Sequence, residues 1–263
     1  MQRSLRNIYQ YCIQHSTAPS EVLHELDRET YLKTLAPQMM TGPLQGQLLR
    51  FISLWVKPKF ALEIGTFTGY GSICIAEGLP EDGILHTIEP NRELAYIFQK
   101  YVAKAGLSER IHLHTGRAEV VIPDLDCLFD LAMIDGGKQD YSLHYDLVIE
   151  KMNPGGVILV DNVLWDGKVA LEKKDKDTLL IHQFNEKIQA DSRVENLLMP
   201  LRDGLMIIRV KARKRNTGNS ANPSPACPSF SRIGTSMQYA RKGSGVLQCW
   251  KREARSKVFG RIL

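Results

Sequence analysis

The sequence predicts an α/β protein with a mostly parallel, doubly wound sheet, and three observations carry that expectation. Short apolar runs alternate with helix-like segments from Phe60 to Val160. The first run, Phe60-Ala-Leu-Glu-Ile64, leads straight into a turn holding Gly65, Gly69 and Gly71. The second, Ile84 to Ile88, closes on an acid, Glu89. A glycine turn lets a ligand approach the backbone, and a carboxylate at the end of the next strand accepts two hydrogen bonds from a ribose diol. An adenosine-bearing ligand fits both features. The spacing G-x-x-x-G-x-G differs from the dinucleotide G-x-G-x-x-G and so disfavours a nicotinamide enzyme. Read alone, the turn would serve equally to join strand to helix.

Taken in order, Arg3 to His15 and Ser20 to Ala36 have helical spacing, with Leu5, Ile8, Tyr9, Cys12 and Ile13 on one face and Val22, Leu23 and Leu26 on the other helix. They predict an N-terminal helical segment, 1–36, packed on the main domain of 37–211. Met39 to Pro43 reads as a loop, and Leu44 to Val56 as a third helix closed by Pro58. Strands are expected at 60–64, 84–89, 111–115, 129–134 and 156–161, with helices near 71–79, 91–105, 117–122 and 142–152 between them. One more helix, Lys173 to Ala190, precedes two strands, Val194 to Met199 and Gly204 to Val210. Asp203-Gly204 between these predicts a tight turn and an antiparallel finish.

Composition narrows the class. The chain has 263 residues, 43% of them hydrophobic, enough for one α/β domain with a tail. Its five cysteines are scattered, odd in number and never in C-x-x-C spacing, which points to a reducing compartment and away from a disulfide framework or zinc site. No apolar run approaches the ~18 residues of a membrane span, and the amino terminus lacks a charged start followed by an apolar core. A cytoplasmic protein with no membrane association is expected.

The formal charge of +5 is divided unevenly. Eleven of the 34 Lys and Arg, but only one of the 29 Asp and Glu, fall in 212–263, so the preceding part carries about −5 and this segment about +10. Asn216 to Pro225 within it has the composition of a disordered segment. A basic arm of this kind can contact nucleic acid or an anionic surface, and it can equally be a dispensable extension.

The polar residues fall at strand ends, where a parallel sheet binds its ligands. The fourth strand runs into Asp135-Gly-Gly-Lys138 and the fifth into Asp161-Asn162. Two carboxylates and an amide oxygen on adjacent strands, with no His or Cys nearby, suit a hard divalent ion such as Mg²⁺. Singly, each could be a helix N-cap. Lys138 is close enough in sequence to face the same point, where a neighbouring metal would favour its use as a base; a surface lysine is the alternative. The seven histidines show no ligand spacing, and His112 and His114 read as structural.

These residues carry a resemblance to a known family. Thr41-Gly-Pro-Leu-Gln-Gly-Gln47, Leu62 to Tyr70, Thr87-Ile-Glu-Pro-Asn91, Gly116-Arg-Ala-Glu119, Ile134 to Lys138 with Tyr141, and Asp161-Asn-Val-Leu-Trp-Asp-Gly167 occur in order over Met39 to Lys211. Together they resemble the metal-dependent class I O-methyltransferases of the catechol and caffeoyl-coenzyme A type. The resemblance implies a Rossmann-like, seven-stranded sheet with an antiparallel final strand and helices on both faces. It also implies S-adenosylmethionine as donor, a small aromatic diol or phenol as acceptor, and a homodimer with the N-terminal helices as candidates for the contact.

By position, Glu63, Gly65 and Thr66 would border the methionine part of the donor, covered by Thr41. Glu89 would hold the ribose and Ala118 would flank the adenine. Asp135, Asp161 and Asn162 would hold the ion, Lys138 would be the base, and Trp165 and Asp166 would lie near the acceptor.

Two departures accompany the match. Gly71-Ser72 stands where the family usually places Ser directly after Gly-Tyr, so the donor carboxylate would rely on backbone N–H groups at that helix start as well as Ser72. Asp135-Gly-Gly-Lys138 replaces Asp-Ala-x-Lys, leaving the acceptor side less walled. Two other readings use the same residues. The acceptor could be a hydroxylated base in transfer RNA, with the basic segment as an electrostatic arm, or the chain could bind an adenosyl ligand without catalysis.

Overall fold

The computed structural model describes residues 2–212, with side chains from Asn7 onward. The basic segment expected to be disordered lies outside the described residues, apart from Ala212.

Three helices come first: α1 (Gln2–Gln14), α2 (Glu21–Lys33) and α3 (Pro43–Val56). Then β1 (Phe60–Ile64), α4 (Tyr70–Glu77), β2 (Ile84–Glu89), α5 (Ala95–Lys104), β3 (Ile111–Thr115), α6 (Ala118–Val121), β4 (Phe129–Ile134), α7 (Tyr141–Glu150) and β5 (Met152–Val160) alternate. The chain continues through α8 (Lys176–Ala190), β6 (Val194–Met199) and β7 (Leu205–Val210). The strands form one seven-stranded sheet in the order β3-β2-β1-β4-β5-β7-β6. Pairings from β3 to β5 are parallel; β7 runs antiparallel to both β5 and β6.

Successive strand residues point to opposite faces, and the core divides accordingly. Ala61, Leu85, Leu131 and Leu159 pack with α3, α4 and α5, while Leu62, Ile88, Ala132 and Ile158 pack with α7 and α8. Helix α4 is buried from Tyr70 to Ala76, which explains why its sequence shows no polar face. Leu23 and Leu26 carry α2 into the same core, and the buried Thr30 donates to Thr68 in the glycine turn at 3.0 Å. Helix α2 thus supports the turn directly.

Several boundaries differ from expectation for local reasons. Helix α2 ends at Lys33, where the Thr34 hydroxyl donates back to the Thr30 carbonyl at 2.8 Å. The helix expected over 91–105 splits: Asn91 accepts the Glu93 N–H at 3.0 Å and sets a tighter turn, Arg92–Leu94, before α5. Strand β5 starts four residues earlier than its apolar run, because Asn153 donates to Asp130 at 2.8 Å and ties Pro154-Gly155-Gly156 to the sheet through a register shift beside Phe129. Helix α8 starts at Lys176 because Asp175 caps the Thr178 N–H at 2.8 Å. Among the described residues no helix is long and apolar enough to cross a membrane.

At the far edge, His86 pairs in register with His112, stacks on His114 and shares a hydrogen bond with it at 2.9 Å. Burial, then the His114 and His112 rings, lower the His86 pKa from 6.5 to about 4. The unfolded chain therefore takes up this proton more readily, and the stability contributed by neutral His86 is lost as pH falls from about 6.5 towards 4. Urea unfolding across that range should show this slope, and His86→Phe should flatten it; an equal slope in the variant would remove His86 as its source.

Candidate active site

The carboxyl edge is assembled by three backbone bonds that link four strand ends, β2, β1, β4 and β5. Gly65 N–H donates to Ile88 at 3.0 Å, Asp135 N–H to Ile64 at 2.8 Å, and Asp161 N–H to Ile134 at 3.1 Å. Gly65 has φ of 98°, and a Cβ there would fall 2.2 Å from the Asp135 carbonyl oxygen. Only glycine permits this approach. The glycine turn is therefore shaped first by the chain beside it.

The turn places Phe67 in the left-handed region, φ 50°, so that its N–H reaches Glu89 Oε2 at 2.8 Å, while Asn91 N–H reaches Oε1 at 2.9 Å. Each Glu89 oxygen keeps further acceptor capacity, and Glu89 lines a cavity of about 900 Å³. Gly65, Asp135, Asp161, Asn162 and Trp165 line the same cavity. So do Leu35, Met39, Tyr96 and Arg202, which the sequence did not single out.

Glu63 lies behind the turn, 3% exposed. Thr87 donates to its Oε2 at 2.6 Å, Ser72 donates to the same oxygen, and Thr66 and Thr87 hydroxyls share a bond at 2.5 Å. A Cβ on Gly71 would lie 2.7 Å from Glu63 Oε1 and 3.0 Å from the Thr41 hydroxyl, so this glycine leaves room for the acid. Thr41, Glu63, Thr66, Gly71 and Ser72 thus form one packed polar layer that does not itself line the cavity. Ala118 is buried at the start of α6, also off the cavity lining.

Asp135 and Asp161 stand side by side. Burial and then the Asp161 charge push the Asp135 carboxyl well above the usual range, Glu63 adds to this, and Arg202 opposes it. Asp161 is buried; its Oδ2 accepts from Gln45 Nε2 at 2.7 Å and its Oδ1 from the Asn162 N–H at 2.9 Å. Among the described residues no three His, Cys, Asp or Glu side chains gather as a metal site, so the candidate consists of two carboxylates and the Asn162 amide. Two crowded carboxylates that repel one another fit a divalent cation as the missing charge.

Lys138 does not line the cavity. Its Nζ lies 3.0 Å from Asp177 of α8 and 3.6 Å from the centroid of the Trp165 ring. Trp165 (φ 49°), Asp166 (φ 54°), Asn162 (φ 58°) and Gly167 (φ 73°) all adopt left-handed backbone in one loop. Neighbouring Gly136 packs against His144, where a Cβ would lie 3.1 Å from the ring, so an alanine there would need the ring to shift by a few tenths of an ångström.

A family model described as O-methyltransferase matches residues 13–211. The chain belongs to the O-methyltransferase family. This O-methyltransferase is 32% identical over 216 residues to a caffeoyl-CoA O-methyltransferase of Stellaria longipes, covering 77% of this chain and 89% of that one. Among solved structures, it matches an O-methyltransferase from Bacillus cereus in complex with SAH at 27% identity and TM-score 0.72, with 78% and 97% of the two chains covered. TomG from Streptomyces achromogenes, in complex with SAM, matches at 28% identity and TM-score 0.72, with 78% and 96% covered.

Burial raises the Glu63 pKa of this methyltransferase from 4.5 to about 7, against the lowering by Ser72 and Thr87. A raised folded-state value means that stability is fully present below about 4.5 and is lost as pH rises through about 7. Glu63→Gln should remove that loss, so that the difference in melting temperature between variant and parent grows from pH 5 to pH 8; a constant difference would show that Glu63 does not titrate there. This trend opposes that of His86, so each is read from its own variant.

Proposed function

We propose that this chain transfers the methyl group of S-adenosylmethionine to a hydroxyl of a small catechol-like or phenolic acceptor, with a divalent ion, Mg²⁺, held by Asp135, Asp161 and Asn162. The observation that supports this reading most is the meeting of a diol-accepting acid, Glu89, with the Asp135–Asp161 pair on one cavity wall. When bound, the donor supplies an electrophilic methyl group, and the ion neutralises the acid pair and makes a phenol more acidic than its usual pKa of ~10.

The chain's own residues supply the rest. Glu89, held by the Phe67 and Asn91 N–H groups, receives the ribose hydroxyls. Gly65 borders the methionine part, and the layer of Thr41, Glu63, Thr66, Gly71 and Ser72 supports it from behind. Ala118 flanks the adenine. Trp165 and Asp166 lie on the acceptor side, so that donor and acceptor are positioned before reaction. Lys138 takes the hydroxyl proton. A paired ammonium is a donor and not a base, so Lys138 must leave Asp177 and release its own proton to solvent before its neutral amine can take the proton of the acceptor hydroxyl. The chain works in the cytoplasm as a homodimer. The exposed, stacked Phe51 and Trp55 of α3, with exposed Tyr11 of α1, offer an apolar surface for that contact.

Incubation with S-adenosylmethionine and caffeic acid or its coenzyme A thioester, with Mg²⁺ or with EDTA, should give a mass gain of one methyl only with the ion. Equal product in EDTA removes the ion, and no product despite calorimetric donor binding removes the acceptor class. Lys138→Ala should cut turnover by about 10² or more while donor affinity holds; unchanged turnover would refute the base. Asp135→Ala should abolish the Mg²⁺-dependent rate.

A further inference from the structure

Gln45 in the first turn of α3 and Arg202 in the β6–β7 turn lie 157 residues apart in sequence, and their side chains meet next to Asp161. Arg202 Nη1 donates to Gln45 Oε1 at 2.9 Å, to the Met40 carbonyl at 3.3 Å and to the Thr41 carbonyl. Gln45 Nε2 in turn donates to Asp161 Oδ2 at 2.7 Å. A guanidinium offers only donors and an ionised carboxylate only acceptors, so one amide orientation satisfies both neighbours. Gln45 is 1% exposed, and water does not replace either partner freely. Arg202 holds this place at φ 50°, a conformation unfavourable for a side-chain-bearing residue. Backbone strain persists where surrounding contacts over-determine it, and it gathers at functional sites.

We propose that Arg202 and Gln45 are positioning residues: Arg202 fixes the orientation of the Gln45 amide, and Gln45 fixes the carboxylate of Asp161. With Asn162 N–H on Oδ1 and Gln45 on Oδ2, both carboxylate oxygens of Asp161 are held where the residue lines the cavity. The proposal rests on the reading of Asp161 as an ion ligand for its functional consequence, but not for the amide orientation itself. Groups that orient a ligand in this way act on metal affinity by about 10-fold to 100-fold.

Two measurements on the full chain separate this role from general support of the fold. In the metal-free protein, NMR of the Gln45 side-chain NH₂, assigned by its disappearance in Gln45→Met, should show slow exchange with water, and Arg202→Met should make it fast. Persistence of the protected signal in Arg202→Met overturns the proposal whether or not the chain binds an ion. In calorimetric titration with MgCl₂, Gln45→Met and Arg202→Met should each weaken binding about 10-fold, and the double variant should be no weaker than the worse single one. Arg202→Lys, which can reach one acceptor but not bridge three, should recover only part of the loss. Additive losses, or an unchanged affinity in Gln45→Met, overturn the proposal. An absence of Mg²⁺ binding in the parent protein counts against the ion reading alone, and the amide exchange then decides the positioning role.

Discussion

The contact on which the site depends is the near collision of two backbones at Gly65 and Asp135. Parallel pairing of β1 with β2 and β4 brings three strand ends to one level, and the missing Cβ at Gly65 lets the first turn close over the start of the fourth strand's loop. The relative placement of Glu89 and Asp135 follows from that closure. The turn then points the Phe67 N–H at Glu89, and the Asp135 carboxylate emerges beside Asp161. A side chain at Gly65 would force the two loops apart and separate Glu89 from the acid pair.

That closure also concentrates negative charge. Glu63, Asp135 and Asp161 share one poorly hydrated region, and the charges of Asp161 and Glu63 both raise Asp135. The protein answers with hydroxyl donors for Glu63, an amide and a backbone N–H for Asp161, and the Arg202 guanidinium at the rim. Unpaired buried carboxylates are costly to a fold, so this arrangement is one that a bound cation would stabilise.

Much of this was legible in the sequence because it is written locally. Short apolar runs alternating with helical segments, a glycine turn and acids at strand ends identify a doubly wound sheet and the edge where ligands bind, and Gly65, Glu89, Asp135, Asp161 and Asn162 do line one cavity. What escaped depends on contacts across long separations. Arg202 sits in a turn whose sequence signals only a tight connection, and nothing in Leu201-Arg-Asp-Gly204 announces that its guanidinium reaches Met40 and Gln45. Gln45 was visible only as part of a matching stretch. The pairing of Lys138 with Asp177 was hidden for the same reason, and the early start of β5 was obscured by a Pro-Gly-Gly stretch that reads as a turn.

The loop holding the left-handed residues Asn162, Trp165, Asp166 and Gly167 follows β5, two strands away from β1 and its glycine turn. It is held instead by the β6–β7 connection, through Leu164 N–H on Asp203 at 2.8 Å and Val163 N–H on Gly204 at 3.2 Å. The two substrates of the reaction would therefore be served by separately anchored parts of one edge. On the proposed reading, such a division would let the loop on the acceptor side be reshaped without disturbing the turn on the donor side.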